Sequence, residues 1–333
     1  MKPYVIGIDM GGTNTVFGIV DARGIVIASS SIKTAKHANF DDYVDELYTE
    51  VTKLIKENDA EGKIHGIGIG APNANYYTGE IADGVNLPWP TPIPLVQKMQ
   101  DKFGIPVMTT NDANAAAIGE MTYGAARGLK DFIMITLGTG VGSGIVINGQ
   151  VVYGHDGFAG ELGHVTMKRN NGRLCGCGRT GCLEAYCSAT GVARTAREFL
   201  ELRNEPSLLR NIDIETITSK DVYDAAVNGD KMAKEIFEYT GNMLGEAMAD
   251  FAAFSSPEAF ILFGGLAKSG ELLLRPLRES YERNVMKTFK GKARILLSEL
   301  KEADAAVLGA SALGWEAKPL PAVPAPAPAA PEA

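Results

Sequence analysis

Twice in this chain a short β-rich run breaks into a glycine-rich turn and then resumes as a second β-rich run, and this recurrence restricts the folds open to it. Val5 to Ile8 leads into Gly11-Gly12 and restarts at Val16 to Val20. Phe132 to Leu137 leads into Gly138-Thr139-Gly140-Val141-Gly142-Ser143-Gly144 and restarts at Ile145 to Ile147. Strand, glycine turn, strand at two such distant places indicates two similar α/β domains facing each other, not a short-period solenoid. A length of 333 residues is enough for each half to have its own core.

The remaining elements fit that division. Ile25 to Ser30 reads as a third strand, and Phe40, Tyr43, Val44, Leu47, Val51, Leu54 and Ile55 recur at the spacing of an amphipathic helix. Strands are expected at Ile64 to Ile69 and Ile105 to Met108. The prolines of Asn86-Leu87-Pro88-Trp89-Pro90-Thr91-Pro92-Ile93-Pro94 exclude regular structure and predict a long loop. Asn148-Gly149 between Ile147 and Val151 to Tyr153 is a hairpin signal. The last third is mostly helical: Met232, Ile236, Tyr239, Met243, Leu244, Ala247 and Phe251 share one face, and Ala305 to Trp315 is a final helix, with strands at Ala259 to Phe263 and Ala293 to Leu297. The Pro/Ala-rich residues 319–333 are expected to be a disordered tail.

Composition excludes several functions. A net charge of −8 argues against a broad nucleic-acid surface. The first residues lack the apolar stretch of a secretion signal, and no apolar run approaches the roughly 18 residues of a membrane span. All 4 cysteines, Cys175, Cys177, Cys182 and Cys187, fall in one short stretch, which suggests metal binding in a reducing compartment and therefore a cytoplasmic protein.

Asp9-Met10-Gly11-Gly12-Thr13 ends a strand with residues suited to phosphate: glycines admit close approach, consecutive N–H groups form an anion nest, and Thr13 adds a hydroxyl. A tight hairpin would use the same residues. The second turn has more glycine than a hairpin needs, so something must come close to its backbone. Neither turn has the Gly-Lys-Ser/Thr ending of a Walker loop. In Thr110-Asn111-Asp112-Ala113-Asn114-Ala115, a polar pair before an alanine run could cap a helix, although Ala115 stands where a capping box would place Glu or Gln. The pair also follows a strand's carboxyl end, where α/β proteins bind ligands and where a carboxylate can accept a hydroxyl proton.

His164, Cys175, Cys177 and Cys182 form a complete set for structural zinc, with glycines 172, 176, 178 and 181 allowing the turns. Cys187 lies beyond the set and is expected to pack. Imidazole has two nitrogens, so His164 can serve the metal with one and a ligand hydroxyl with the other, flanked by Glu161 and Glu184. Several acceptors at one point suit a polyhydroxylated ligand.

Together these motifs resemble the ROK (repressor, open reading frame, kinase) family, most closely its bacterial glucokinases, from Tyr4 to about Trp315. The second turn and the run from Glu161-Leu162-Gly163-His164 through Cys175-Gly176-Cys177-Gly178 to Gly181-Cys182-Leu183-Glu184 carry the likeness most specifically. The resemblance implies a two-domain actin/hexokinase-like (ribonuclease H-like) α/β fold with ATP and sugar in the interdomain cleft. The smaller domain would be residues 1–112 with 302–318, and the larger 113–301, including a zinc-binding segment at 161–187. It implies that Asp9, Gly11, Gly12 and Thr13 form one phosphate loop, that Gly138, Thr139 and Gly140 form the other, and that Gly264, Gly265 and Leu266 lie at the adenosine. Asn86, Asn111, Asp112, Glu161, His164 and Glu184 would contact sugar, with Asp112 as general base. After Gly70-Ala71-Pro72 the family usually has glycine, whereas this chain has Asn73, a residue that tolerates left-handed backbone.

The expected activity is transfer of the γ-phosphoryl group of ATP, with magnesium, to a hexose: glucose at its 6-hydroxyl, or alternatively mannose, allose, fructose or N-acetylmannosamine. By the same likeness the chain would form a homodimer or higher homo-oligomer. Repressors of this family carry a helix-turn-helix before the first phosphate loop. Asp9 stands too near the start for one, and the acidic charge also disfavours that reading.

Overall fold

The computed structural model describes residues 2–82, 87–300 and 302–318. Asn86 and the Pro/Ala-rich segment 319–333 therefore lie outside the described residues.

The first sheet starts as an antiparallel meander, β1 (Tyr4–Met10), β2 (Asn14–Asp21) and β3 (Val26–Lys33). Helix α1 (Phe40–Glu57) is capped by Asn39, which accepts the Asp42 N–H, and buries Tyr43, Val44, Leu47, Val51 and Leu54 in the first core. It returns the chain to β4 (Ile64–Gly70), parallel to β1. The loop that follows is pinned at Trp89, which is buried against Phe40 and Tyr43 and donates its indole N–H to the His37 carbonyl. Helix α2 (Leu95–Phe103) then leads to β5 (Val107–Thr110), giving the order β3-β2-β1-β4-β5. The right-handed crossovers typical of parallel pairs put such helices on the sheet faces.

Helix α3 (Asp112–Tyr123) carries the chain to the second sheet, which follows the same plan. β6 (Phe132–Leu137), β7 (Val141–Ile147) and the short β8 (Gln150–Val151) run antiparallel. After a helical insertion, β9 (Ala259–Phe263) lies parallel to β6, and β10 (Arg294–Leu297) lies parallel to β9. Read from β8, the order β8-β7-β6-β9-β10 repeats that of the first sheet. The insertion comprises α4 (Glu184–Cys187), α5 (Ala189–Leu202), α6 (Ser219–Val227) and α7 (Lys231–Ser255). Together with α8 (Glu271–Asn284) they build the larger core around Phe237, Leu244 and Leu277. Finally α9 (Glu302–Gly314) returns to the first sheet, packing on β1 and β4 and against α3.

Two expectations are corrected. Gly142, Ser143 and Gly144 do not belong to the second turn, which is confined to residues 138–140; they lie within β7. The extra glycine serves helix packing: a Cβ at Gly144 would stand 2.8 Å from the Ala117 Cβ and 3.0 Å from the Ala113 carbonyl oxygen of α3. The strand expected at Val151 to Tyr153 is shortened to Gln150–Val151. Its turn is as expected, with Asn148 and Gly149 at φ of 53° and 75°.

Candidate active site

In each sheet a strand leads into a glycine turn, and the ends of these two strands meet at one cavity. Asp9 sits at the carboxyl end of β1, in register with Gly70 of β4, which is in register with Thr110 of β5. Asp112 follows in the first turn of α3. Gly70 leaves open the space between the two acids: a Cβ there would be 3.7 Å from the Asp112 Cα and 4.0 Å from an Asp9 carboxylate oxygen. Both acids line a cavity of about 210 Å³ that also meets Thr136 of β6, Phe263 of β9 and Ala305 of α9.

Burial, reinforced by the Asp112 charge, pushes the Asp9 carboxyl up to about 6. Asp112 is accessible to water at the cleft, yet protein surrounds it closely on its other sides. This loss of hydration raises its carboxyl above the usual range, against a partly offsetting hydrogen bond from the Ala113 N–H. The capping question is answered by Asn111, which is the N-cap of α3 and accepts the Ala113 N–H at 2.9 Å. Asp112 is thus not the N-cap.

In the first turn, Gly11 donates to the Asn14 carbonyl, and the Thr13 carbonyl accepts from Thr34 N–H. In the second, the Gly138 N–H donates to the Gly140 carbonyl. Among the described residues the N–H groups of Gly12, Thr13, Thr139 and Gly140 have no protein acceptor, as an anion-binding turn requires. Gly264, at the end of β9, lies against the end of β6, where a Cβ would be 2.5 Å from the Leu137 carbonyl oxygen. This puts Gly264-Gly265 beside the second turn. The Leu266 side chain is buried in the larger core, so only its backbone can face a nucleotide.

The His164, Cys175, Cys177 and Cys182 ligand atoms all lie within 4.8 Å of one another. Cys177 and Cys182 sulfurs are 3.7 Å apart, and Cys175 Sγ is 3.6 Å from His164 Nδ1. Tetrahedral zinc with Zn–S near 2.3 Å and Zn–N near 2.0 Å has S···S and S···N edges of about 3.8 and 3.5 Å, close to these two separations, and three thiols with one imidazole suit that ion. Cys187 is outside it, buried, with its thiol directed at the Thr240 carbonyl. The other nitrogen of His164, Nε2, is 3.9 Å from a Glu161 carboxylate oxygen. Burial raises the Glu161 carboxyl; the His164 charge counteracts this, and the charges of Asp112 and Glu184 reinforce it. Glu161, His164 and Glu184 are thus gathered beside Cys175. Glu184 accepts the Val141 N–H at 2.9 Å with one oxygen and meets Cys175 Sγ at 3.4 Å with the other.

Sequence reasoning missed Asn114 and Ser143, which line a narrow cavity with Asn73, Asn111 and Glu161. Asn114 is 3% exposed and its buried side-chain oxygen has no protein partner. A polar residue inside an alanine run on a helix is the signal that could have identified it. Asn73 does adopt left-handed backbone, with φ of 51°.

A repeated five-stranded plan, with Asp9 of one sheet and Thr136 of the other lining one cavity, is that of an actin/hexokinase-like α/β fold. The sequence matches the ROK family over residues 5–317. It is 36% identical to a glucokinase of Halalkalibacterium halodurans, covering 95% of each chain, and 34% identical to a glucokinase of Thermotoga maritima, covering 94% of this chain and 97% of that one. Its structure is similar to that of a ROK family glucokinase from Streptomyces griseus in complex with glucose and AMPPNP, with a TM-score of 0.77 and 32% identity, covering 94% of this chain and 99% of the other. The chain belongs to the ROK family.

Proposed function

We propose that this chain is an ATP-dependent hexose kinase that converts glucose to glucose 6-phosphate. The observation that carries the reading is the placing of Asp9, Asp112 and Thr136 around one cavity, at the start of two glycine turns whose N–H groups are unfilled. The relatives named glucokinase support the substrate.

In this reading Glu161, His164 Nε2, Glu184, Asn111 and Asn86 hold the sugar hydroxyls. Gly11 to Thr13 and Gly138 to Gly140 cradle the phosphates, Gly264 to Leu266 border the adenosine, and Asp9 holds the magnesium ion that accompanies ATP. Asp112 takes the proton of the 6-hydroxyl as that oxygen attacks the γ-phosphorus and ADP leaves. Its raised pKa brings it nearer the working pH than an ordinary carboxylate, which suits a base. The smaller lobe, 1–112 with 302–318, and the larger, 113–301, close on the substrates and exclude water. Zinc on His164, Cys175, Cys177 and Cys182 would fix the wall of the sugar site. Among the described residues no helix is long and apolar enough to cross a membrane, and we place the enzyme in the cytoplasm as a homodimer or higher homo-oligomer.

A coupled assay of ADP release with magnesium and a panel of glucose, mannose, allose, fructose and N-acetylmannosamine tests the proposal. Glucose should give the highest kcat/KM. ADP release unaffected by every sugar would make the protein an ATPase instead, and a higher kcat/KM for another hexose would reassign the substrate.

A further inference from the structure

We propose that Glu184 is a positioning residue for the second phosphate turn, a role that rests on the kinase reading and is separate from any contact with sugar. Its oxygens face different ways. Oε2 accepts the Val141 N–H at 2.9 Å, immediately after the turn, and lies where a Cβ at Gly140 would be only 2.4 Å away. Gly140 is thus the residue that lets this carboxylate close on the turn's backbone. Oε1 faces the cluster and meets the Cys175 sulfur at 3.4 Å.

The same short segment fixes the rest of the turn. The Ala189 N–H donates to the Gly138 carbonyl at 2.8 Å, and the Thr190 hydroxyl donates to the Thr139 carbonyl at 2.9 Å. Residues 184–190 therefore tie both carbonyls and the following amide, while the Thr139 and Gly140 N–H groups are left for phosphate. Preorganised donors bind an anion without first having to be ordered. The negative charge of Glu184 near an anion site would by itself weaken nucleotide binding, so its benefit there is geometric.

That distinction gives the test. Titration calorimetry of the full-length zinc-loaded protein with AMPPNP and magnesium, in the absence of sugar, reads the turn alone. Glu184→Ala should weaken AMPPNP binding about fivefold or more. Glu184→Gln, whose amide oxygen can still accept the Val141 N–H, should bind it at least as tightly as the wild type. Thr190→Val, which removes a second tie without touching the cluster, should weaken binding about twofold and provides the readout if Glu184→Ala does not fold. Unchanged AMPPNP affinity in folded Glu184→Ala, or in Thr190→Val if that is the only folded variant, overturns the positioning role and leaves the kinase reading intact. Equal losses in Glu184→Ala and Glu184→Gln also overturn it, because a side chain that can still accept the Val141 N–H would then bring no benefit. Wild-type protein that does not bind AMPPNP would overturn both.

Discussion

The two glycine turns occupy equivalent places in equivalent sheets, yet they are built differently. Two residues before the first turn stands Asp9; two residues before the second stands Thr136, whose hydroxyl accepts the Gly142 N–H at 3.1 Å. Both line the same cavity. Beneath the first turn lies a buried hydroxyl network, in which Thr15 is 2.8 Å from both Thr34 and Tyr43. The second turn is tied from outside, by Glu184, Ala189 and Thr190. A duplicated plan has therefore been divided: the first half brings Asp9 and Asp112, and the second brings an anchored turn connected to the cluster of His164, Cys175, Cys177 and Cys182.

The sharpest way to break that comparison is Asp112→Asn. Because Asn111 caps α3, the variant should fold with almost unchanged Tm, and kcat should fall at least about a hundredfold with little change in sugar affinity. Turnover close to normal would show that the carboxylate is not the base and that the first half has no special chemical role.

A smaller effect is expected in the second half. His164→Cys supplies a replacement metal ligand but no Nε2 toward Glu161. Zinc content should be largely kept while the sugar KM rises about tenfold and the ATP KM stays put. Cys177→Ser should instead lower zinc content and Tm together, since it removes a ligand and leaves the imidazole. An unchanged sugar KM in a correctly metallated His164→Cys protein would reduce the cluster to a remote staple.

Much of this was legible in the sequence because its signals are local. The turns announce themselves as glycine after β-rich runs, the four candidate metal ligands fall within one short stretch, and Tyr43, Leu47, Val51 and Leu54 mark α1 by their spacing. What escaped depends on distant contacts. Gly142 and Gly144 looked like turn residues, whereas their missing side chains make room for α3, a packing fact that no local pattern encodes. Asn114 and Ser143 become site residues only when α3 crosses β7 beside the loop of Glu161. Glu184 reads from the sequence as an acceptor for a sugar hydroxyl, and its bond to Val141 joins residues separated by 43 positions.

The smallest effect concerns the stability cost of placing an acid on one side only. Asp9 has a folded-state carboxyl raised from 3.8 to about 6, chiefly by burial and then by the Asp112 charge. Well below the unfolded value of 3.8 it is protonated in folded and unfolded chains alike and carries no penalty. As pH rises through 6 the folded protein must ionise it at a disadvantage, and the stability held at low pH is lost. Asp9→Asn removes that ionisation. The variant should therefore be more stable than the wild type at pH 8, by on the order of 1 kcal/mol once solvent in the cleft screens the charge, and the gain should vanish toward pH 4. Thr136→Val is the matched change in the other sheet. It leaves the Gly142 N–H without its acceptor, so it should destabilise by about 1 kcal/mol with no pH dependence. Thermal unfolding of both variants between pH 4 and 8 makes the comparison directly, and parallel Tm profiles would mean that the two halves do not differ in where they hold charge.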